Sequence, residues 1–190
     1  MKQSNDLAYI VGVALGDGNL SCPNGRTTRL RVTCDSRYPM LAEEIRISLR
    51  KLFPYNKVSD CPSGKSSYFN ISVYSNSLNE CLPWQVNCGS KQKQNAHVPN
   101  WILHNPDYKK HCLRCLLQTD GSVYSDRGYV MVNFTNNIKL LAEDVSNMIS
   151  DLGFSSHFYE TMQASGNLKY TVRLSKQTQS FIKMISLQKR

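Results

Sequence analysis

Two short apolar runs in this chain end in the same way. Ala8-Tyr9-Ile10-Val11-Gly12-Val13-Ala14-Leu15-Gly16 leads into Asp17-Gly18, and His111-Cys112-Leu113-Arg114-Cys115-Leu116-Leu117-Gln118-Thr119 leads into Asp120-Gly121. Neither run contains proline, and each has the length of about three helical turns. The closing glycine fits a left-handed helix C-cap, which would put each Asp at a helix C-terminus. The helix dipole is already negative there, so a carboxylate is poorly placed unless a cation joins it. Two such ends in one chain point to a shared cation site.

Small residues indicate how the two runs meet. Ala8, Gly12 and Gly16 recur at i, i+4 spacing, and Cys115 and Thr119 hold matching places in the second run. Facing stripes of small side chains let helix backbones approach closely. Packed in parallel, the two helices would bring Asp17 and Asp120 together at one end.

The surroundings of the two runs also repeat. Asp17 and Asp120 lie 103 residues apart, and Met40-Leu41-Ala42-Glu43-Glu44-Ile45 aligns with Leu140-Leu141-Ala142-Glu143-Asp144-Val145, 100 residues on. Turn signals at Pro23-Asn24-Gly25-Arg26, Pro62-Ser63-Gly64-Lys65, Asp126-Arg127-Gly128 and Ala164-Ser165-Gly166-Asn167 each separate two strand-like runs. Helical runs are expected from Pro39 to about Phe53 and from Ile138 to Leu152. The pattern predicts an α+β chain of two pseudo-symmetric αββαββα halves, residues 1–82 and 108–190, joined by a connecting segment, 83–107. A chain of 190 residues is long enough for one sizeable core or two small fused halves.

Ile10 to Gly18 and Leu113 to Gly121 resemble the nine-residue motif of the LAGLIDADG homing endonucleases. Two copies in one chain are similar to the monomeric members. Leu15, Gly16, Arg114, Cys115, Gln118 and Thr119 depart from the consensus, while the terminal Asp-Gly and the small packing positions are kept. The resemblance implies two packed LAGLIDADG helices, a curved antiparallel DNA-binding sheet in each half, and a metal-dependent double-strand break in a long asymmetric DNA target. By position in the connecting segment, Lys91 matches the family's active-site lysine, with Lys93 as the competing choice. The alternatives on the same fold are an intron-splicing maturase and a DNA-binding protein that does not cleave.

Charge agrees with a polyanionic partner. Lys and Arg number 23 against 14 acidic residues, a net charge of +9, and the excess is shared by both halves. A basic excess spread along the chain fits double-stranded DNA held over its whole length. The seven cysteines form no regular framework, and Cys112-x-x-Cys115 falls within a helix, so free thiols in a reducing compartment are expected. No secretory signal and no apolar run of membrane-spanning length is found, so an intracellular location is expected; the two motif copies and the family resemblance imply a monomer acting at DNA.

The residues then divide by role. Asp17 and Asp120 would hold Mg²⁺, with Mn²⁺ a plausible substitute, because hard oxygen ligation disfavours softer metals. The Gly16 and Thr119 carbonyls, at the helix ends, are the expected additional ligands. Lys91 would stabilise developing negative charge or order the attacking water. Alternation in the strands puts Arg29, Arg31, Thr33, Tyr68, Asn70, Ser72 and Tyr74 on the outward face of the first half. Asn133, His157, Tyr159, Lys169, Thr171 and Arg173 take that face in the second, with Arg26 and Arg127 at turn tips. Arg and Asn can read guanine and adenine edges bidentately, and the remaining groups add adaptable contacts.

Overall fold

The computed structural model describes residues 1–62 and 67–188. Most of the turn expected at Pro62-Ser63-Gly64-Lys65 therefore lies outside the described residues. The first half contains α1 (Asn5–Asp17), β1 (Gly18–Ser21), β2 (Arg29–Asp35), α2 (Pro39–Leu52), β3 (Val58–Pro62), β4 (Tyr68–Tyr74) and α3 (Leu78–Cys81). The short α4 (Asn100–Leu103) lies in the connecting segment. The second half repeats the order with α5 (Pro106–Thr119), β5 (Gly121–Asp126), β6 (Tyr129–Asn136), α6 (Lys139–Asp151), β7 (His157–Met162), β8 (Leu168–Leu174) and α7 (Thr178–Met184). Both sheets are antiparallel, with orders β1-β2-β4-β3 and β5-β6-β8-β7. The αββαββα repeat is thus present twice, as the sequence implies.

Local chemistry explains the element boundaries. Ser4 caps α1 by accepting from the Leu7 amide at 3.2 Å. Asn105 caps α5 by accepting from the Asp107 and Tyr108 amides at 3.0 and 3.1 Å, with Pro106 at the first helical position. That start lies two residues ahead of the boundary expected at 108. Arg127 and Gly128 take φ of +49° and +85° between β5 and β6, the geometry of a tight two-residue hairpin.

The core runs through both halves. Leu7 to Val11 and Val13 to Leu15 of α1 are buried, as are Cys112, Leu113 and Cys115 to Leu117 of α5. The inner faces of the sheets close over them with Leu30, Val32, Ile71 and Val73, and with Val132, Phe134, Val172 and Leu174. The connecting segment is stapled down by the buried Trp84, Ala96, Val98 and Ile102. Its Val98 amide donates to the Asp144 carboxylate at 2.8 Å, and His97 Nδ1 lies 3.1 Å from the same oxygen.

The glycines after the two aspartates differ from expectation. Gly18 has φ −79° and ψ 147°, an extended conformation, and Gly121 has no positive φ either. Left-handed caps are therefore absent at both ends. The glycine is required by close approach: a Cβ on Gly18 would sit 2.5 Å from the Ala14 carbonyl, and one on Gly121 would meet the Leu117 carbonyl. The chain turns from helix directly into strand and folds back over its own last turn, leaving no room for a side chain.

Candidate active site

α1 and α5 pack as the small-residue stripes require. A Cβ on Gly12 would lie 2.6 Å from the Cys112 carbonyl oxygen and 2.9 Å from Cys115 Cβ, and one on Gly16 would overlap the Thr119 hydroxyl. Gly16 and Thr119 precede Asp17 and Asp120, so this contact brings together the two helix ends that carry the aspartates, and both carboxylates act on the Lys91 ammonium. Thr119 turns its own hydroxyl back onto the Cys115 and Leu116 carbonyls, at 2.9 and 3.2 Å.

Lys91 fills the space at the end of α1. Its ammonium donates to the Ala14, Leu15 and Gly16 carbonyls at 3.1, 2.6 and 2.5 Å. A cation thus satisfies orphan acceptors at the negative end of the helix. The Gly16 carbonyl expected as a metal ligand is engaged by this ammonium. Burial pulls the Lys91 ammonium below the ordinary lysine range, while the Asp120 and then the Asp17 carboxylates oppose that shift. Lys93, the competing lysine, is exposed, and its side chain lies against Gly89.

The two aspartates are held differently. Asn136 Nδ2 donates to Asp120 Oδ2 at 2.8 Å, while Asn136 Oδ1 accepts from the Ile138 amide at 2.9 Å in the turn that precedes α6. Val32 pairs with Gly18 as Phe134 pairs with Gly121, so Cys34 is the first-half counterpart of Asn136. Burial first, and then the nearby Asp17 carboxylate, push the Cys34 thiol up to about 12. Asn136 was missed in the sequence. Its signal is the Asn136-Asn137 pair just before the apolar periodicity of α6, where a capping side chain belongs.

A cleft of about 450 Å³ opens here, lined by Gly16, Lys91, Asp120, Asn136, Gln163 and Lys169 among others. Lys169, expected among the recognition residues, faces this cleft beside Lys91 and Asp120. Among the described residues no three His, Cys, Asp or Glu side chains gather into a metal cage. Two carboxylates with backbone carbonyls nearby are an all-oxygen donor set of the kind a hard divalent ion such as Mg²⁺ takes, with water and substrate phosphate completing the shell.

The second sheet reaches the cleft through Thr135, Asn136 and Lys169. Arg29, Arg31 and Thr33 of β2 stand directly opposite Tyr74, Ser72 and Asn70 of β4. Asn70 and Ser72, expected to be exposed, are buried, at 8% and 5% exposure. β4 is a central strand, and these short side chains are covered by longer neighbours: Thr33 donates to Asn70 Oδ1 at 3.0 Å, and Ser72 lies beside Ser59 and Cys61 of the edge strand. Tyr68, Tyr74, His157 and Tyr159 are exposed on the same faces, Arg26 and Arg127 are exposed at turns, and Thr171 pairs with Thr135 through hydroxyls 3.3 Å apart. Asn19, Ser21 and Tyr124 join this face from β1 and β5. The alternation that identified the longer strands extends to them.

Residues 107–185 match the model of the LAGLIDADG-like domain. No curated protein matches the chain in sequence. Solved structures match along nearly its whole length. Mesophilic variants of the homing endonuclease I-DmoI superpose with a TM-score of 0.67 at 17% identity, over 96% of this chain and 88% of theirs. The chain has the LAGLIDADG fold. I-DmoI in complex with DNA and Mn gives a TM-score of 0.65 at 18% identity, over 96% and 95% of the two chains. The N-terminal LAGLIDADG domain of DUF199/WhiA gives 0.62 at 14%, over 98% and 86%. In this LAGLIDADG fold, Asp17 and Asp120 close the two motif helices, and the connecting segment delivers Lys91 to the end of the first, where both carboxylates act on it. No described helix is long and apolar enough to cross a membrane.

Proposed function

We propose that this chain is a monomeric, site-specific DNA endonuclease that uses a divalent metal, Mg²⁺ or Mn²⁺, to break both strands of a long asymmetric target. The observation that carries this reading is the contact of Gly16 with Thr119. It joins the two helix ends that carry the carboxylates, where the Lys91 ammonium bonds the α1 carbonyls and interacts with both aspartates. A single chain holds both acidic ends in one composite core, so no second copy is needed to complete the site. The likeness to I-DmoI, solved with DNA and Mn, supports DNA as the substrate.

Asp17 and Asp120 would hold the metal, with water and the scissile phosphates completing its shell. The bound metal neutralises phosphate charge and lowers the pKa of water at neutral pH. Asn136 fixes the Asp120 carboxylate in one orientation. Lys91 adds positive charge where the phosphorane charge develops, in a partly buried setting that strengthens it. The attacking water forms a bond to phosphorus as the bond to the leaving oxygen breaks. Arg29, Arg31, Tyr68, Tyr74, His157, Tyr159 and Arg173 lie along the two sheet faces that would enter the grooves, and Lys169 is placed to meet a phosphate at the cleft.

The test is incubation with a randomised DNA duplex library, with and without Mg²⁺, and in parallel with a folded group I intron RNA. Metal-dependent enrichment of cut molecules sharing one asymmetric sequence is expected. Selective retention of duplex without cleavage would leave a DNA-binding protein on this fold, and retention of folded RNA instead would leave the maturase reading.

A further inference from the structure

One row of side chains crosses each sheet at equivalent positions. In the first half it reads Asn19, Arg31, Ser72 and Ser59 across β1, β2, β4 and β3. In the second half it reads Ser122, Asn133, Arg173 and His157 across β5, β6, β8 and β7. The rows correspond, because each lies one residue beyond the Gly18–Val32 or Gly121–Phe134 pair. The arginine has moved from the second strand of one row, β2, to the third strand of the other, β8.

The two arginines also differ in support. Arg173 Nε donates to Asn133 Oδ1 at 3.3 Å, and Arg173 Nη2 donates to the Tyr124 hydroxyl at 2.9 Å. Asn133 Nδ2 donates to that same hydroxyl at 3.1 Å, closing a three-membered network. In the first half, Ser21 stands where Tyr124 stands, and it accepts from Arg29 instead. Arg31 Nε is buried without a hydrogen-bond partner among the described residues.

We propose that Tyr124 and Asn133 preorganise Arg173 to read a guanine in the half-site bound by the second sheet, an inference that rests on the DNA endonuclease reading. Two of the five guanidinium N–H groups are committed along one edge. The end-on pair, one hydrogen on each terminal nitrogen, is left to meet guanine O6 and N7. Asn133 has its carbonyl and its amide engaged within the network. It therefore acts as a positioning residue and not as an adenine reader. Holding a long side chain in one geometry before binding removes part of the ordering cost from recognition. Ser122, in the same row, lies two residues beyond Asp120, which is about 7 Å along a strand. At about 3.4 Å per base-pair step, the guanine falls close to the cut and not at the outer end of the half-site.

The experiment uses the full chain in metal-free buffer, so that binding is read without cleavage. Bound duplexes are selected from a random library by wild type, Arg173→Lys and Tyr124→Phe. The preferred duplex is then remade with 7-deazaguanine, which pairs normally but lacks N7. Wild type is expected to require guanine at one central position of one half-site and to lose affinity for the 7-deaza duplex. Arg173→Lys should discriminate at that position about 5- to 100-fold less and lose part of the sensitivity to 7-deazaguanine. Tyr124→Phe, with an unchanged thermal midpoint, should show a partial loss at the same position and nowhere else. Asn133→Ser serves as the second positioning variant and should act likewise. Undiminished guanine preference in both positioning variants would overturn the proposal while leaving the endonuclease reading intact. So would a wild type that selects a sequence with no central guanine sensitive to Arg173→Lys. A wild type that selects no sequence at all would remove both.

Discussion

The Lys91 ammonium donates to the Gly16 carbonyl at 2.5 Å, one residue before Asp17. The same group therefore ends a helix and faces the candidate chemistry. Lys91→Ala is expected to leave three α1 carbonyls without this donor and to cost about 1.5–3 kcal/mol of stability, the range for hydrogen bonds to a charged group. It should also lower cleavage far more than DNA binding. Denaturant melts, DNA affinity and cleavage at saturating protein separate the two effects. Wild-type cleavage in Lys91→Ala, together with loss in Lys93→Ala, would move the role to the exposed lysine.

Asp17→Asn and Asp120→Asn should each abolish or cripple double-strand cleavage in Mg²⁺ while DNA binding survives. Asn keeps the shape but not the charge that holds a hard cation. Viewed from the sequence alone, removing one of two carboxylates at negative helix ends would stabilise the metal-free protein. The Lys91 ammonium interacts favourably with both aspartates and opposes that repulsion, so little change in thermal midpoint is expected. A variant cutting both strands at the wild-type rate would take its aspartate out of the site.

The parts legible in the sequence were those set by periodicity and duplication. The two Asp-Gly ends, the small-residue stripe and the strand alternation each depend on regular spacing, and the fold preserved all three. What was not legible depends on where a strand lies in its sheet or on which neighbour a side chain meets. Asn70 and Ser72 alternate correctly but sit on a central strand, where Thr33, Ser59 and Cys61 cover them. Gly18 looked like a left-handed cap, yet its requirement comes from the Ala14 backbone pressed against it. Asn136 reaches Asp120 only because β6 pairs back along β5, a relation carried by register and not by any motif.

Gly12→Ala and Gly16→Ala test the helix contact. A methyl on Gly12 meets backbone at 2.6 Å and cannot be accommodated by a side-chain rotation, whereas at Gly16 the obstacle is the Thr119 side chain. Each substitution is expected to cost about 1–3 kcal/mol, the usual range for overpacking a core. Thr119→Gly should restore part of the loss for Gly16→Ala and none for Gly12→Ala. Equal stability of wild type and Gly12→Ala in urea would mean that the helices do not pack this closely.

Arg31→Ala should relax sequence preference within the half-site bound by the first sheet and leave the other half-site unchanged. A lost bidentate base contact costs about 1–3 kcal/mol. Binding-site selection is the measurement. A uniform fall in affinity with unaltered preference would reassign Arg31 to a phosphate.

The connecting segment supplies a pH-dependent prediction. Asp144 on α6 accepts from the Val98 amide and lies beside His97, so it fastens the segment that carries Lys91 to the second half. Burial pushes the Asp144 carboxyl above its ordinary value of 3.8, opposed by the Val98 amide and His97 and assisted by Glu143. The folded protein therefore holds this proton more tightly than the unfolded chain does. The associated stabilisation is complete below pH 3.8 and is lost as pH rises through the folded value. Asp144→Asn retains an acceptor for the Val98 amide and carries no charge at any pH. The stability difference, Asp144→Asn minus wild type, should thus be more favourable to the variant at pH 7 than at pH 4. Urea melts across that range measure it, and repeating them in a His97→Ala background isolates the carboxylate from its neighbour. A difference that stays constant with pH, or that grows in favour of the variant on acidification, would mean that Asp144 is not held in a buried, charge-disfavouring site.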